Sequence, residues 1–234
     1  MLAAKPSRRM RALSLSVRQG GQMRRNYDER MSVSDLSAST QNYLKTIWAL
    51  TEWTDEPVTP SVLAKRMGLK LSSVSDAVRK MSGEGLVHHE RYGAVSLTDT
   101  GRRYALAMIR RHRLIELFLV RVLGYTWDQV HDEAETLEHA VSDFMIDRID
   151  EVLGFPARDP HGDPIPSADG TVTIPDALPL TEVSAADRVV VERISDADPS
   201  LLQFFEENGI VVGVALEVTE GSPYSGAPVS YTHL

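Results

Sequence analysis

Two short segments concentrate the side chains able to bind a cation. His131, Glu135, Glu138 and His139 recur at successive spacings of four, three and one. At 100° per residue a helix would gather them within an arc of about 100°, so one face offers two imidazoles and two carboxylates. Asp132 and Glu133 fall outside that arc. His112 and Glu116, four apart in the preceding segment, also share a helix face, and antiparallel packing would bring the two sets together. Oxygen and imidazole donors without sulfur suit manganese, iron(II), zinc or cobalt and do not suit copper(I). The plainer reading is a solvated acidic face with i,i+4 His–Glu pairs. Six potential ligands in two registers argue against it. No His-Glu-x-x-His pentapeptide occurs, so a helical zinc protease of that type is excluded.

The elements that must carry these residues follow from periodicity and caps. Tyr43, Leu44, Ile47, Trp48 and Leu50 lie near one stripe and predict a helix from Thr40 to about Trp53. Thr59 and Pro60 open a short helix that Gly68 stops, and Ser72 is the expected cap of the next, through Val74, Ala77, Val78 and Met81. Two short helices joined in this way predict a helix-turn-helix. Leu86–Glu90 and Ala94–Leu97 flank a turn at Arg91-Tyr92-Gly93, read as a hairpin wing with Gly93 at positive φ. A long helix capped by Thr98 or Asp99 is expected to run to Leu123, and another from Trp127 to about Leu153, where Gly154-Phe155-Pro156 breaks it.

In a helix-turn-helix the first residues of the second helix face base edges. Here these are Ser72, Ser73, Ser75 and Asp76, with Arg79 and Lys80 one turn later and Arg91 in the wing. Hydroxyls allow close approach to DNA, and the cations meet phosphates. Asp76 weighs against DNA unless it accepts from a cytosine amine. The competing reading is a small bundle whose hairpin serves only its core or a protein contact.

The charge distribution favours DNA. The chain of 234 residues carries a net charge of −8, but unevenly. Residues 1–30 hold eight basic and two acidic residues, residues 37–113 twelve and seven, and residues 114–180 three and fourteen. A basic half followed by an acidic middle suits a polyanion-binding module joined to a cation collector. Apolar residues at 42% and charged residues at 25% are ordinary for a globular protein, and no apolar run is long enough to span a bilayer. The absence of cysteine excludes disulfides and thiolate metal sites and fits the cytoplasm.

The sequence resembles the iron- and manganese-dependent, DtxR/MntR-type repressors. The segments that carry the resemblance are Gln41-Asn42-Tyr43-Leu44-Lys45-Thr46-Ile47-Trp48, Ser73-Val74-Ser75, Arg111 to Glu116, Val130 to His139, and the Asp159-Pro160-His161-Gly162-Asp163-Pro164-Ile165-Pro166 loop. It implies a homodimer binding double-stranded operator DNA, with Mn2+ or Fe2+ as corepressor and no membrane partner. By position, Glu135, Glu138 and His139 match the family's regulatory site and Asn42 its remaining side-chain ligand. His112, Glu116 and His131 match the companion site. Glu135 stands where iron sensors hold cysteine, and a hard carboxylate favours manganese. Asn42 stands where manganese-responsive members usually hold aspartate, which removes one negative charge. The third-domain ligands of iron sensors are not clearly matched, although Asp196 and Asp198 lie near.

The expected protein is mainly α. Residues 1–36 form a disordered basic extension, with translation from Met31 as the plain account of it. Residues 37–107 form the winged helix-turn-helix, 108–155 the helical dimerisation and metal-binding domain, 156–179 a linker, and 180–234 a small β domain, SH3-like by resemblance. That last domain has too little sequence after residue 220 to close a barrel, so truncation or a foreign terminal stretch is expected. The function expected is metal-dependent repression, with no enzymatic activity. The rivals are a metal-independent winged-helix regulator sensing a small molecule and a metallohydrolase with an incidental helix-turn-helix.

Overall fold

Local signals set the first helices. A computed structural model describes residues 32–53, 56–90, 93–184, 188–219 and 229–232. Helix α1 spans Ala38–Trp53, α2 Pro60–Met67 and α3 Leu71–Gly83. Thr59 accepts from the Val62 amide, Pro60 supplies the first helical position, and Gly68 ends α2 at φ 65°, where a side chain would be strained. Helix α3 starts earlier than Ser72 predicts. Lys70 is its N-cap, with no side-chain hydrogen bond, because the Val74 amide already closes on the Lys70 carbonyl at 3.1 Å. Ser72 therefore sits inside the first turn. The expected start of order at residue 37 also moves: Val33–Asp35 form a 3-10 turn and Val33 is buried.

Strands β1 (Val87–His89) and β2 (Val95–Leu97) pair antiparallel, with Val87 opposite Leu97 and His89 opposite Val95. Gly93 does not take the positive φ expected of it. Its amide donates to the Glu90 carbonyl at 2.9 Å, and an ideal Cβ would lie 2.8 Å from Glu90 Cβ. Close approach, rather than handedness, requires glycine there. Tyr43, Leu44, Ile47, Leu63, Val74, Val78, Met81 and Val95 bury the apolar faces of all these elements in one core.

Helix α4 (Asp99–Phe118) is capped by Thr98, which accepts from the Gly101 amide, and continues as one π turn, Leu119–Leu123, ending at Gly124 with φ 74°. The expected single helix from Trp127 to Leu153 is two: α5 (Trp127–Leu137) and α6 (Asp143–Leu153). Ser142 accepts from the Met145 amide and so starts a new helix, while the Val141 amide folds back onto the Leu137 carbonyl at 3.1 Å. Glu138 keeps helical angles as the C-cap of α5, and His139 lies in the turn beyond it. Leu114, Ile115, Leu117, Val130, Ala134, Ile146 and Ile149 form a second core between α4, α5 and α6.

Three arginines of α4 fix what surrounds this core. Arg111 donates to the Glu138 carbonyl at 3.1 Å, satisfying the C-terminus of α5, and also pairs with Asp143. Arg110 pairs with Asp150 at 2.7 Å. Arg113 pairs with Glu52 of α1 at 2.6 Å and donates to the Pro164 carbonyl at 2.7 Å. Asp163 in turn pairs with Arg193. The start of the expected linker is therefore packed: Asp159, His161, Asp163 and Ile165 are buried. The last region is a three-stranded antiparallel sheet, β3 (Arg188–Val190), β4 (Ala215–Thr219) and β5 (Val229–Thr232), in the order β3-β4-β5. Helix α7 (Pro199–Glu207) lies between β3 and β4 in sequence. Leu216 of β4 pairs with Thr232 of β5, so the last residues described supply the third strand of this sheet.

Candidate metal centre

Helix α1 of the winged domain meets the end of α5 through three neighbouring positions. Gln41 Nε2 donates to the carbonyls of Val33 at 2.7 Å and Leu36 at 2.9 Å, which aims Oε1 at His139 Nδ1, 2.6 Å away. His139 donates from Nδ1 to that oxygen, which leaves Nε2 facing Glu138 Oε1 at 3.6 Å. Asn42 Oδ1 is buried and has no hydrogen-bond partner among the described residues. Lys45 Nζ lies 2.5 Å from Glu135 Oε1 and 2.6 Å from Glu138 Oε1. The lysine ammonium is a stand-in cation bound by two carboxylates at the junction of two domains. Two carboxylates that already converge on one cation, with an imidazole beside Glu138, are donors of the type a divalent ion with hard or borderline preferences takes.

A second set adjoins the first through His112. Its Nδ1 lies 2.6 Å from Glu138 Oε2 and its Nε2 3.0 Å from Glu116 Oε1. His131 Nδ1 lies 3.5 Å from Glu116 Oε1 and 3.1 Å from Asp196 Oδ2. Candidate donor atoms of His112, Glu116, His131 and Asp196 come within 4.8 Å of one another, as do those of His112, Glu135 and Glu138. A third such group joins Glu116 to Asp159 and His161, whose ring nitrogens are buried without a partner among the described residues.

The electrostatics follow from burial among opposite charges. Burial disfavours the charged form of His112, but the Glu116 and Glu138 carboxylates together outweigh it and lift the imidazole to about 9. The neighbouring carboxylates of Asp196 and Glu116 lift the His131 imidazole to about 10. Burial raises Glu116, yet His112 and His131 hold it far below the usual carboxylate range; Glu138 is lowered against its burial by His112 and Lys45. Asp159 is pushed well up by burial and by the charges of Glu116 and Asp163.

All seven sequence-derived ligand candidates lie on α1, α4, or α5 and its end. The geometry groups them differently from the helical arc, because His139 has left the helix for the turn that meets Gln41. Sequence reasoning missed Gln41, Lys45, Asp159 and His161 as parts of the site, and placed Asp196 only near the third-domain ligand positions. Gln41 and Lys45 flank Asn42 one residue before and three after, a spacing that could have drawn attention to them.

On the winged domain, Ser72, Ser73, Asp76, Arg79 and Lys80 are exposed and Ser75 is half-buried. Asp76 is held by Arg79 at 2.8 Å, which offsets its charge toward a polyanion. Arg91 lies outside the described residues. An exposed recognition helix, coupled through α1 to a cluster of cation ligands, is the arrangement of a metal-responsive DNA-binding regulator.

Comparison with known proteins agrees. Residues 35–95 match the family described as "Iron dependent repressor, N-terminal DNA binding domain", residues 98–167 its "metal binding and dimerisation domain", and residues 178–232 the "FeoA domain". The iron-dependent repressor IdeR of Mycobacterium leprae is 34% identical over 82% of this chain and 87% of its own. The diphtheria toxin repressor of Corynebacterium glutamicum is 33% identical over 80% and 86%. A solved structure of a manganese-dependent transcriptional repressor in complex with manganese is 50% identical, with a TM-score of 0.76 over 82% of this chain and 94% of that one. The chain belongs to the iron-dependent repressor family of DtxR/MntR-type, metal-dependent transcriptional repressors. It is accordingly a DNA-binding repressor with a metal-binding and dimerisation domain, not an enzyme. Among the described residues no helix is long and apolar enough to cross a membrane.

Proposed function

We propose that the chain represses transcription in the cytoplasm as a homodimer, with manganese as the preferred corepressor and Asn42, Glu135, Glu138 and His139 as the regulatory ligands. The observation that carries this reading is the junction itself: α1 reaches the acidic end of α5 through Gln41 and Lys45, with the unpartnered Asn42 oxygen between them in sequence. A divalent cation held there would neutralise the carboxylates and tie the DNA-binding domain to the dimerisation domain. Gln41 orients His139 for that role, and Arg111 fixes the turn carrying Glu138. His112, Glu116 and His131, joined by Asp196, supply the companion site.

Manganese is favoured over iron because Glu135 is a hard donor and the chain has no cysteine. Ser72, Ser73, Ser75, Asp76, Arg79, Lys80 and Arg91 are the residues proposed to meet DNA. Met145, Val152, Phe155 and Leu123 of the dimerisation domain expose apolar side chains that a second copy would cover. Tying each recognition helix to the dimer core sets the separation at which two of them meet successive major grooves. The coupling between metal and operator is expected at about 1–3 kcal/mol.

The test is an anaerobic operator-binding titration with manganese, iron(II), zinc and cobalt against a chelated control. Glu138→Ala should abolish metal-dependent operator binding while leaving a folded dimer. Normal metal-stimulated affinity in that variant would defeat the site assignment. Operator affinity unaffected by chelation would select the metal-independent regulator instead.

A further inference from the structure

We propose that Lys45 is a built-in competitor for the regulatory metal: its ammonium holds Glu135 and Glu138, must withdraw before a divalent ion takes them, and so sets the ion concentration at which the protein responds. This rests on the reading of Glu135 and Glu138 as ligands given above.

The geometry is that of a bound cation. Nζ lies 2.5 Å from one carboxylate oxygen and 2.6 Å from another, contributed by residues three apart on α5 and its C-cap. Glu138 is fully buried, and the Lys45 side chain is only 10% exposed. Solvent screening of the pair is therefore weak, and the attraction correspondingly strong. The remaining oxygen of Glu138 is taken by His112, and the Glu135 side chain is 35% exposed, so the two oxygens on Lys45 are the pair that converge.

An ammonium and a divalent ion cannot share these oxygens. Like charges a few ångströms apart in a poorly screened site repel strongly. Lysine is suited to exchange, because it is a point charge on a flexible four-carbon stem that makes no fixed planar fork. Charge accounting points the same way. Glu135 and Glu138 supply two negative charges, Asn42 adds none, and the lysine cancels one of the two. A divalent ion cancels both, so exchange is favoured only above a threshold concentration that the lysine raises. The same ammonium also links α1 to α5, so its loss weakens that junction while it frees the ligands. A lysine that merely supported the fold would not move stability and metal affinity in opposite directions.

The test uses the full-length dimer, with free Mn2+ followed by electron paramagnetic resonance and heat by calorimetry, and thermal melts in chelator. Lys45→Met is expected to bind Mn2+ about tenfold more tightly or better, and to melt at a lower temperature in chelator, because the buried Glu138 carboxylate loses its cation. Lys45→Arg, which keeps the charge, is expected to bind Mn2+ no more tightly than the parent. If Lys45→Met is too unstable, Lys45→Gln carries the same expectation, its amide still able to donate to Glu138. Unchanged or weaker Mn2+ affinity in the charge-removing variants overturns the proposal. Glu138→Gln separates the two readings: loss of Mn2+ binding there, with Lys45→Met unchanged, removes only the competitor, whereas full binding by Glu138→Gln removes both.

Discussion

Gln41 offers a test of how the site is held rather than of which atoms bind. It makes three hydrogen bonds: two from Nε2 to the carbonyls of Val33 and Leu36, and one accepted from His139 Nδ1 at 2.6 Å. The first two prevent the amide from turning over, and the third fixes which His139 nitrogen carries the proton. Gln41→Leu has similar volume and removes all three. At about 1 kcal/mol net for each bond, the protein should lose about 2–3 kcal/mol of stability in chelator. A histidine ligand without its orienting partner typically loses about 10–100-fold in metal affinity, which is about 1.4–2.7 kcal/mol. Gln41→Glu separates the two effects, because it keeps an acceptor for His139 but cannot donate to the carbonyls. That variant should lose stability yet bind Mn2+ at least as tightly as the parent, because its carboxylate also adds a negative charge beside His139. Calorimetric Mn2+ titration and urea unfolding in chelator measure both quantities. Mn2+ affinity within twofold of the parent in Gln41→Leu would refute the reasoning, since His139 would then need no orientation.

Three further outcomes follow from the structure. His112 and His131 are lifted from an ordinary 6.5 to about 9 and about 10, so in chelator their contribution to stability should be full below pH 6.5 and disappear as pH rises through 9 to 10. Metal ligation needs neutral imidazoles, so Mn2+ binding at pH 7.5 should release about one to two protons per chain and tighten as pH rises; calorimetry in buffers of different ionisation enthalpy would show no buffer dependence if this is wrong. Gly101→Ala should destabilise the winged domain by at least about 1–3 kcal/mol, because the added Cβ would fall 1.9 Å from the Leu86 carbonyl oxygen; an unchanged urea midpoint would contradict the tight packing of α4 against the start of the wing.

Much of the architecture was legible because its causes are local. Thr59, Pro60 and Gly68 bound α2 as their backbone and side-chain preferences require, and Thr98, Gly124 and Gly154 act at the expected helix ends. The apolar stripe of α1 and the polar exposed face of α3 follow from a 3.6-residue period that needs no partner to be recognised. The break after Leu137 was not legible, because helical apolar spacing continues across it through Val141 and Ile146. There Ser142 capping and the Arg111 bond to the Glu138 carbonyl outweigh continued propensity.

The donor types at the site were set by sequence: carboxylate and imidazole without thiolate, at spacings that present them together. Their partners were decided only by the docking of domains. Lys45 meets Glu135 and Glu138 across 90 and 93 residues, Gln41 meets His139 across 98, and Asp196 reaches His131 from the third domain. A helix dictates its own caps and faces through contacts within a turn or two. Which charge lands on which, from separate elements, depends on how two buried cores and three arginine clamps hold those elements against each other, and that is a property of the assembled tertiary structure.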